Sequence, residues 1–162
     1  MPEPYAAQSP DDLVSIAEAS KLSGYESLKK TLSGLQAAPP ISGHMGIRLV
    51  ELEPGRAVFR GTPAFAVANP MGTTHGGWYG TILASAMACA VHSKVPAGRS
   101  STTLEYKVNI MRPLPAGMEA ECISIALHVG RTTGVASAEL RGVEDGKLYA
   151  TGSTTCQIFE IG

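Results

Sequence analysis

The chain has 162 residues, 44% of them apolar, and a formal net charge of −1 from 13 basic and 14 acidic side chains. That length predicts one domain with a real core. Balanced charge without a Lys/Arg cluster excludes nucleic-acid or anionic-membrane binding driven by bulk electrostatics, and no apolar run reaches membrane-spanning length.

In chain order, the first ten residues lack the basic and apolar regions of a signal peptide. Ser9-Pro10-Asp11-Asp12 predicts a helix start: a capping Ser, Pro at the first helical position, then acids at the positive end. This helix is expected to run to about Ala19. Gly24 interrupts, and a second helix is expected over Tyr25–Leu35. Gln36 to Pro40 reads as a linker, so residues 1–40 form an N-terminal helical extension and residues 41–162 the main domain.

From Ile41 the pattern reads as strand. His44–Glu53 and Arg56–Thr62 are joined by the turn signal Pro54-Gly55, and Ala64–Thr74 is a loop rich in Pro, Gly and Asn. His75 to about Lys94 is one long helix, ended by Pro96-Ala97-Gly98. The next strand alternates, with Leu104, Tyr106, Val108 and Ile110 on one face and Thr103, Glu105, Lys107 and Asn109 on the other. Pro113 to Gly117 turns the chain. Met118–Val129, Gly134–Val143 and Leu148–Phe159 complete the strands, with Glu144 to Lys147 as a hairpin turn. The fold class is α+β. The long helix is apolar on nearly every side (Ile82, Leu83, Met87, Cys89, Val91), so it is expected to be buried inside a curved antiparallel sheet.

Cys89, Cys122 and Cys156 are far apart, odd in number and without CxxC spacing. They predict reduced, buried thiols in a cytoplasmic protein, and no Cys/His pair has the spacing of a metal site. His44 and His128 have no partner at meaningful spacing, and His92 suits the negative end of the helix.

The segment Asn69-Pro-Met-Gly-Thr-Thr-His-Gly-Gly77 feeds straight into the apolar helix. A helix start offers unpaired N–H groups and partial positive charge, which suits a developing oxyanion. Chemistry there needs an acid or base facing the same spot, and the inner helix positions hold Ala84, Ser85 and Ala86.

The order strand, strand, loop with His75-Gly76-Gly77, helix, then long strands resembles the hot-dog fold. The loop and helix are similar to those of acyl-CoA thioesterases of the PaaI-like and Arthrobacter-type 4-hydroxybenzoyl-CoA thioesterase group. The resemblance runs from Ile41 to Phe159. It rests on Asn69 six residues before His75, the apolar helix, Arg112-Pro113 ending the next strand, and His128-Val-Gly-Arg-Thr-Thr133.

The resemblance implies roles residue by residue. The Gly76 N–H would polarise a thioester carbonyl, Asn69 would orient the attacking water or help hold the carbonyl, and His75 would organise the loop. Thr102 stands where relatives place a small hydroxyl near that water. Gly77, Trp78 and Tyr79 would border the carbonyl site, and the two aromatics at the helix start either line a pocket for an aromatic or other bulky acyl group or pack at a subunit interface. Arg112, Arg131, Thr132 and Thr133 would contact coenzyme A, the arginines through its phosphates.

The family places Asp or Glu nine residues after this His, to activate water or attack the thioester. That position is Ala84 here. Ser85 is rotated about 100° round the helix and Thr81 has no base beside it in sequence, so neither replaces the acid. Two histories fit: a replacement that disables an otherwise intact site, or a natural binding-only relative. Retention of the other site elements favours the first. The expected function is therefore acyl-CoA thioester hydrolysis to free acid and coenzyme A, strongly impaired in this chain by Ala84. The alternative is a non-catalytic acyl-CoA binding or sensor protein. A hot-dog hydratase would pair a His with an acid, and no such pair stands near His75.

No cofactor is expected, coenzyme A being part of the substrate. The resemblance also implies a homodimer that shares its active sites, and a dimer of dimers beyond it. An unpaired sheet edge gives dimerisation its own physical motive.

Overall fold

The computed structural model describes residues 3–161. Helices α1 (Ile16–Ala19), α2 (Gly24–Leu32) and α3 (Pro40–Met45) come first. Strands β1 (Ile47–Glu53) and β2 (Arg56–Gly61) follow, then the long helix α4 (Gly76–His92). The chain ends with β3 (Arg99–Ile110), β4 (Ala120–Val129), β5 (Thr133–Gly142) and β6 (Leu148–Glu160). All six strands form one antiparallel sheet in the order β1-β2-β4-β5-β6-β3.

α4 touches every strand of that sheet, which curls round it in the expected hot-dog arrangement. Ile82, Leu83, Ala86, Met87 and Ala90 of α4 are fully buried, so the helix is the core rather than a cover for it. Strand residues alternate accordingly: Ala150, Thr154, Cys156 and Ile158 of β6 are buried, whereas Ser153 and Gln157 between them are exposed. The approach of sheet to helix is close. A Cβ on Gly134 of β5 would lie 2.4 Å from Val91 Cγ1.

The N-terminal region departs from expectation in three places. A helix was expected from Ser9 to about Ala19, but only a 3-10 turn, Pro10–Asp12, and the single-turn α1 form. Leu13 is extended, and Ser15 opens a capping box of its own with Glu18, which restarts the chain. The second helix stops at Leu32 rather than Leu35. Ile41–Met45, read as approaching strand, is helical: Pro40 occupies the first turn of α3 and Gly46, at φ +61°, caps it in the left-handed region.

The extension is held at separated points. Ala6 pairs with Ala38, through Ala7 N–H to Ala38 O at 2.9 Å and Ala38 N–H to Tyr5 O at 2.8 Å. Gly24 N–H donates to Val95 O at 2.9 Å, and Gly98 N–H donates to Ser20 O at 2.8 Å. At Gly24 the fit leaves no room: a Cβ would fall 1.8 Å from the His92 carbonyl oxygen.

β3 also differs from the simple alternation. Its register against β6 shifts between Thr103 and Glu105, so Leu104 is the extra residue of a bulge. Thr103 pairs with buried Cys156, and Tyr106, Val108 and Ile110 pair with Thr154, Gly152 and Ala150. Thr103 thus shares the helix-facing row with Tyr106, Val108 and Ile110, a correction to the expected face. All three cysteines are free; Cys122 and Cys156 are buried and Cys89 is half-buried. Burial pushes the Cys89 thiol up to about 12 and raises the other two, which leaves them unreactive.

Replacing Gly24 by Ala should cost about 1–3 kcal/mol by overpacking. Amide exchange should locate the loss, with protection falling in α2 while β4–β6 keep theirs. A second outcome concerns His92, whose burial holds its imidazole below the ordinary 6.5. The unfolded chain therefore takes up this proton first as pH falls. This contribution to stability is complete above 6.5 and is lost as pH drops from there toward the folded value. Urea unfolding between pH 7 and pH 5 should show that decline, and His92→Asn should flatten it.

Candidate functional site

The loop between β2 and α4 is organised by Asn69. Its Oδ1 accepts from Met71 N–H at 2.9 Å and Thr73 N–H at 3.2 Å, and its Nδ2 donates to Thr73 Oγ1 at 2.8 Å. A side-chain amide offers two acceptor positions and two donor hydrogens, so one Nδ2 hydrogen is left for anything else. Gly72 makes the turn at φ +78°. Thr74, buried, donates from both its hydroxyl (2.7 Å) and its N–H (3.1 Å) to the Leu114 carbonyl, fixing the loop to the segment after β3.

His75 caps α4. Its backbone is extended (φ −65°, ψ 144°), and its Nδ1 accepts from Gly77 N–H at 2.9 Å. With Nδ1 an acceptor, the neutral ring carries its proton on Nε2. The Trp78 N–H donates to the His75 carbonyl at 3.0 Å. Of the first three amides of α4, only that of Gly76 has no acceptor among the described residues, and Gly76 is exposed. A free donor at the positive end of a buried helix is a ready site for negative charge.

Trp78 and Tyr79 do not border that site as expected. Each is 1% exposed. Trp78 Nε1 donates to the Met45 carbonyl at 2.8 Å. The Tyr79 hydroxyl donates to the Arg112 carbonyl at 3.0 Å and accepts from Leu114 N–H at 2.6 Å. Their apolar bodies fill this protomer's core and their polar tips hold the start of α4 to the surrounding chain.

Gly76, Gly80, Ala84, Ala88 and His92 form a four-residue-spaced row along α4. The row follows the inner face of β3, which runs the opposite way. A Cβ on Gly76 would lie 3.5 Å from Ile110 Cδ1, and one on Gly80 would lie 3.2 Å from the Tyr106 hydroxyl. Farther along, His92 Nδ1 is 3.0 Å from Ser101 Oγ. Ala84, half-buried, sits midway in this row, facing the stretch of β3 around Thr103. Eight residues separate it from Gly76, about 12 Å along the axis.

Thr102 pairs with exposed Gln157, so it lies on the outer face of the sheet. The hydroxyl on the helix-facing side is that of Thr103, 4.0 Å from Cys156 Sγ. Reading the alternation straight through the bulge hid this. Arg112 is exposed beyond the end of β3, on the side of Ile110 and Gly76. Arg131, Thr132 and Thr133 are exposed at the β4–β5 turn, where Thr133 pairs with Gln157 opposite Thr102. They therefore lie at the other end of the sheet, about 26 Å from Ile110 along β3. One protomer does not bring the expected residues together.

β3 is the sheet edge beside α4, and it is apolar there. Leu104, Tyr106, Ile110 and the adjoining Met111 are each about half exposed, from 48% to 59%. Among the described residues there is no cluster of three or more His, Cys, Asp or Glu able to hold a metal, and no helix is long and apolar enough to cross a membrane.

Residues 71–149 match the family model described as the thioesterase superfamily. The conserved protein PA5202 of Pseudomonas aeruginosa is 33% identical, over 75% of this chain and 95% of its own, with a TM-score of 0.70. A phenylacetic acid degradation-related protein of Ralstonia eutropha is 27% identical over 81% of this chain and 98% of its own, at TM-score 0.74. A mutant of the phenylacetic acid degradation protein PaaI of Thermus thermophilus is 28% identical over 73% and 97%, at TM-score 0.66. No curated protein matches. The family match spans the loop end, α4 and strands β3 to β5, and these relatives share the same fold over nearly their whole length: the chain belongs to the thioesterase superfamily as a PaaI-like hot-dog protein.

Proposed function

We propose that this protein binds an acyl-CoA thioester in a site completed by a second copy of itself, and that Ala84 strongly impairs hydrolysis there. The observation that carries the reading is the free Gly76 amide at the start of the buried helix. In hydrolysis, water adds to the thioester carbonyl and the negative charge gathers on its oxygen, where the Gly76 N–H donates. Collapse then breaks the C–S bond, giving the free acid and coenzyme A.

The need for a second copy follows from distances within one chain. Position 84 is about 12 Å along the helix from Gly76, too far for an acid there to activate water beside the same chain's carbonyl site. Antiparallel pairing of two β3 edges would set the Ile110 end of one copy against the Arg99 end of the other. Position 84 and Arg131, Thr132 and Thr133 of one copy would then serve the Gly76 of its partner. The exposed apolar strip at Leu104, Tyr106 and Ile110 supports such pairing. Asn69, with one donor hydrogen uncommitted, contributes at most one hydrogen bond to carbonyl or water. The acyl group is an aromatic or medium-chain one, the protein is cytoplasmic, and two dimers join into a tetramer.

Ala84→Asp, assayed beside the unaltered chain on phenylacetyl-, benzoyl- and aliphatic-CoA thioesters, should hydrolyse one class about 10²–10⁴-fold faster. If both are inert while CoA thioesters still bind, the protein is an acyl-CoA binding protein and not a disabled enzyme. A second variant isolates the amide. Pro is favoured at the first helical position, and His75 already has the extended backbone a following Pro requires. Gly76→Pro in the Ala84→Asp background should therefore retain the melting temperature and lose about 10²–10³-fold in kcat.

A further inference from the structure

β3 carries two charged side chains, Glu105 and Lys107, on the outer face of the sheet and at its open edge. Both are exposed, and neither joins an ion pair among the described residues. The backbone of the strand alternates as its side chains do. Met111 N–H donates to Tyr149 O of β6 at 2.9 Å, so the groups of Glu105, Lys107 and Asn109 also point to β6. Those of Tyr106, Val108 and Ile110 point to the open edge, where a second strand would pair with them.

Two β3 strands related by a two-fold axis join their sheets into one only if helix-facing residues meet helix-facing residues. The axis must then pass through a residue and not between two. At Lys107 it would set two ammonium groups together, and at Glu105 two carboxylates. At Val108 it would set Lys107 against Asn109 and Glu105 against Met111. Only at Tyr106 does Glu105 of each copy meet Lys107 of the other, twice across the seam. Backbone hydrogen bonds would not join these opposed residues directly, and side chains lie closest in pairs of that kind.

α4 leads to the same axis by a separate route. If position 84 of one copy serves Gly76 of the other, Gly80, midway between them, is the helix residue nearest the axis. Gly80 lies against Tyr106: a Cβ on it would be 3.2 Å from the Tyr106 hydroxyl. Charge on the outer face and site geometry on the inner face thus select one residue. Tyr106 itself is half exposed where a second copy would cover it.

We propose that two copies of this chain join with Tyr106 on the two-fold axis, in a register fixed by reciprocal Glu105–Lys107 ion pairs. The proposal rests on the shared-site reading above and adds the contacts that decide which groups reach each Gly76. Ile110 of each copy, beside its Gly76, comes opposite the Thr102–Thr103 stretch of the other, near which Ala84 lies. Moving the axis by one residue would slide the second copy about 7 Å along the strand and carry those groups out of reach.

The test is charge exchange in the full chain, read by sedimentation at low salt. Glu105→Lys alone and Lys107→Glu alone should each weaken dimer formation roughly tenfold, because each sets like charges opposite one another. Glu105→Lys with Lys107→Glu in one chain should restore it. An equimolar mixture of the two single variants should form hybrids in preference to either homodimer. A second measurement needs no charge at the seam. Under oxidised glutathione, Glu105→Cys mixed with Lys107→Cys should form a disulfide-linked dimer, and neither variant alone should do so. Unchanged association in the single variants, no recovery in the double variant, or a disulfide in either cysteine variant alone would each overturn the register. A chain that stays monomeric would overturn the register and the shared site together. Failure of Ala84→Asp to hydrolyse thioesters, with charge exchange behaving as stated, would count against the catalytic reading and leave the register standing.

Discussion

The burial of α4 is the constraint from which the rest follows. A helix wrapped by a curved sheet must be apolar over most of its surface and narrow enough for the strands to reach it, which explains both its Ile, Leu and Met and its Gly and Ala. Enclosure also leaves few places where the helix can meet solvent. Its N-terminus is one of them. There the unpaired amides of the first turn must find partners or remain open, and His75 satisfies two of them while leaving the third exposed. The same helix that supplies the core thereby presents a directed donor at the surface.

That donor is held by chemistry on both sides. Asn69 shapes the loop that leads in, Thr74 fastens it to Leu114, and Trp78 and Tyr79 anchor the first turn through their polar tips. None of these side chains needs to touch a substrate to matter. They restrict the position of one N–H group, and positioning of this kind is what electrostatic stabilisation of a developing charge requires.

Much of this was legible in the sequence, and the failures have particular causes. The apolar run of α4 and the Gly-rich turn before it identify a buried helix with an exposed start, because both signals are local. The four strands after it are framed by Pro, Gly and Asp turn residues. The alternation places Thr103 on the wrong face because one extra residue, Leu104, inverts it, and a bulge of that kind leaves no compositional mark. Large aromatics at a helix start, such as Trp78 and Tyr79, carry no sign of which way they turn, toward a pocket, an interface or the core; the Met45, Arg112 and Leu114 backbone groups that claim their tips are remote in sequence.

The separation between the two ends of β3 has a consequence for mixtures. If each site draws its amide from one copy and its remaining groups from the other, a dimer made of two differently damaged chains contains one site with both lesions and one with neither. Two inactive proteins, combined and allowed to exchange subunits, would then regain up to half of the sites in each hybrid. A fold that kept all its groups on a single chain could never show such complementation.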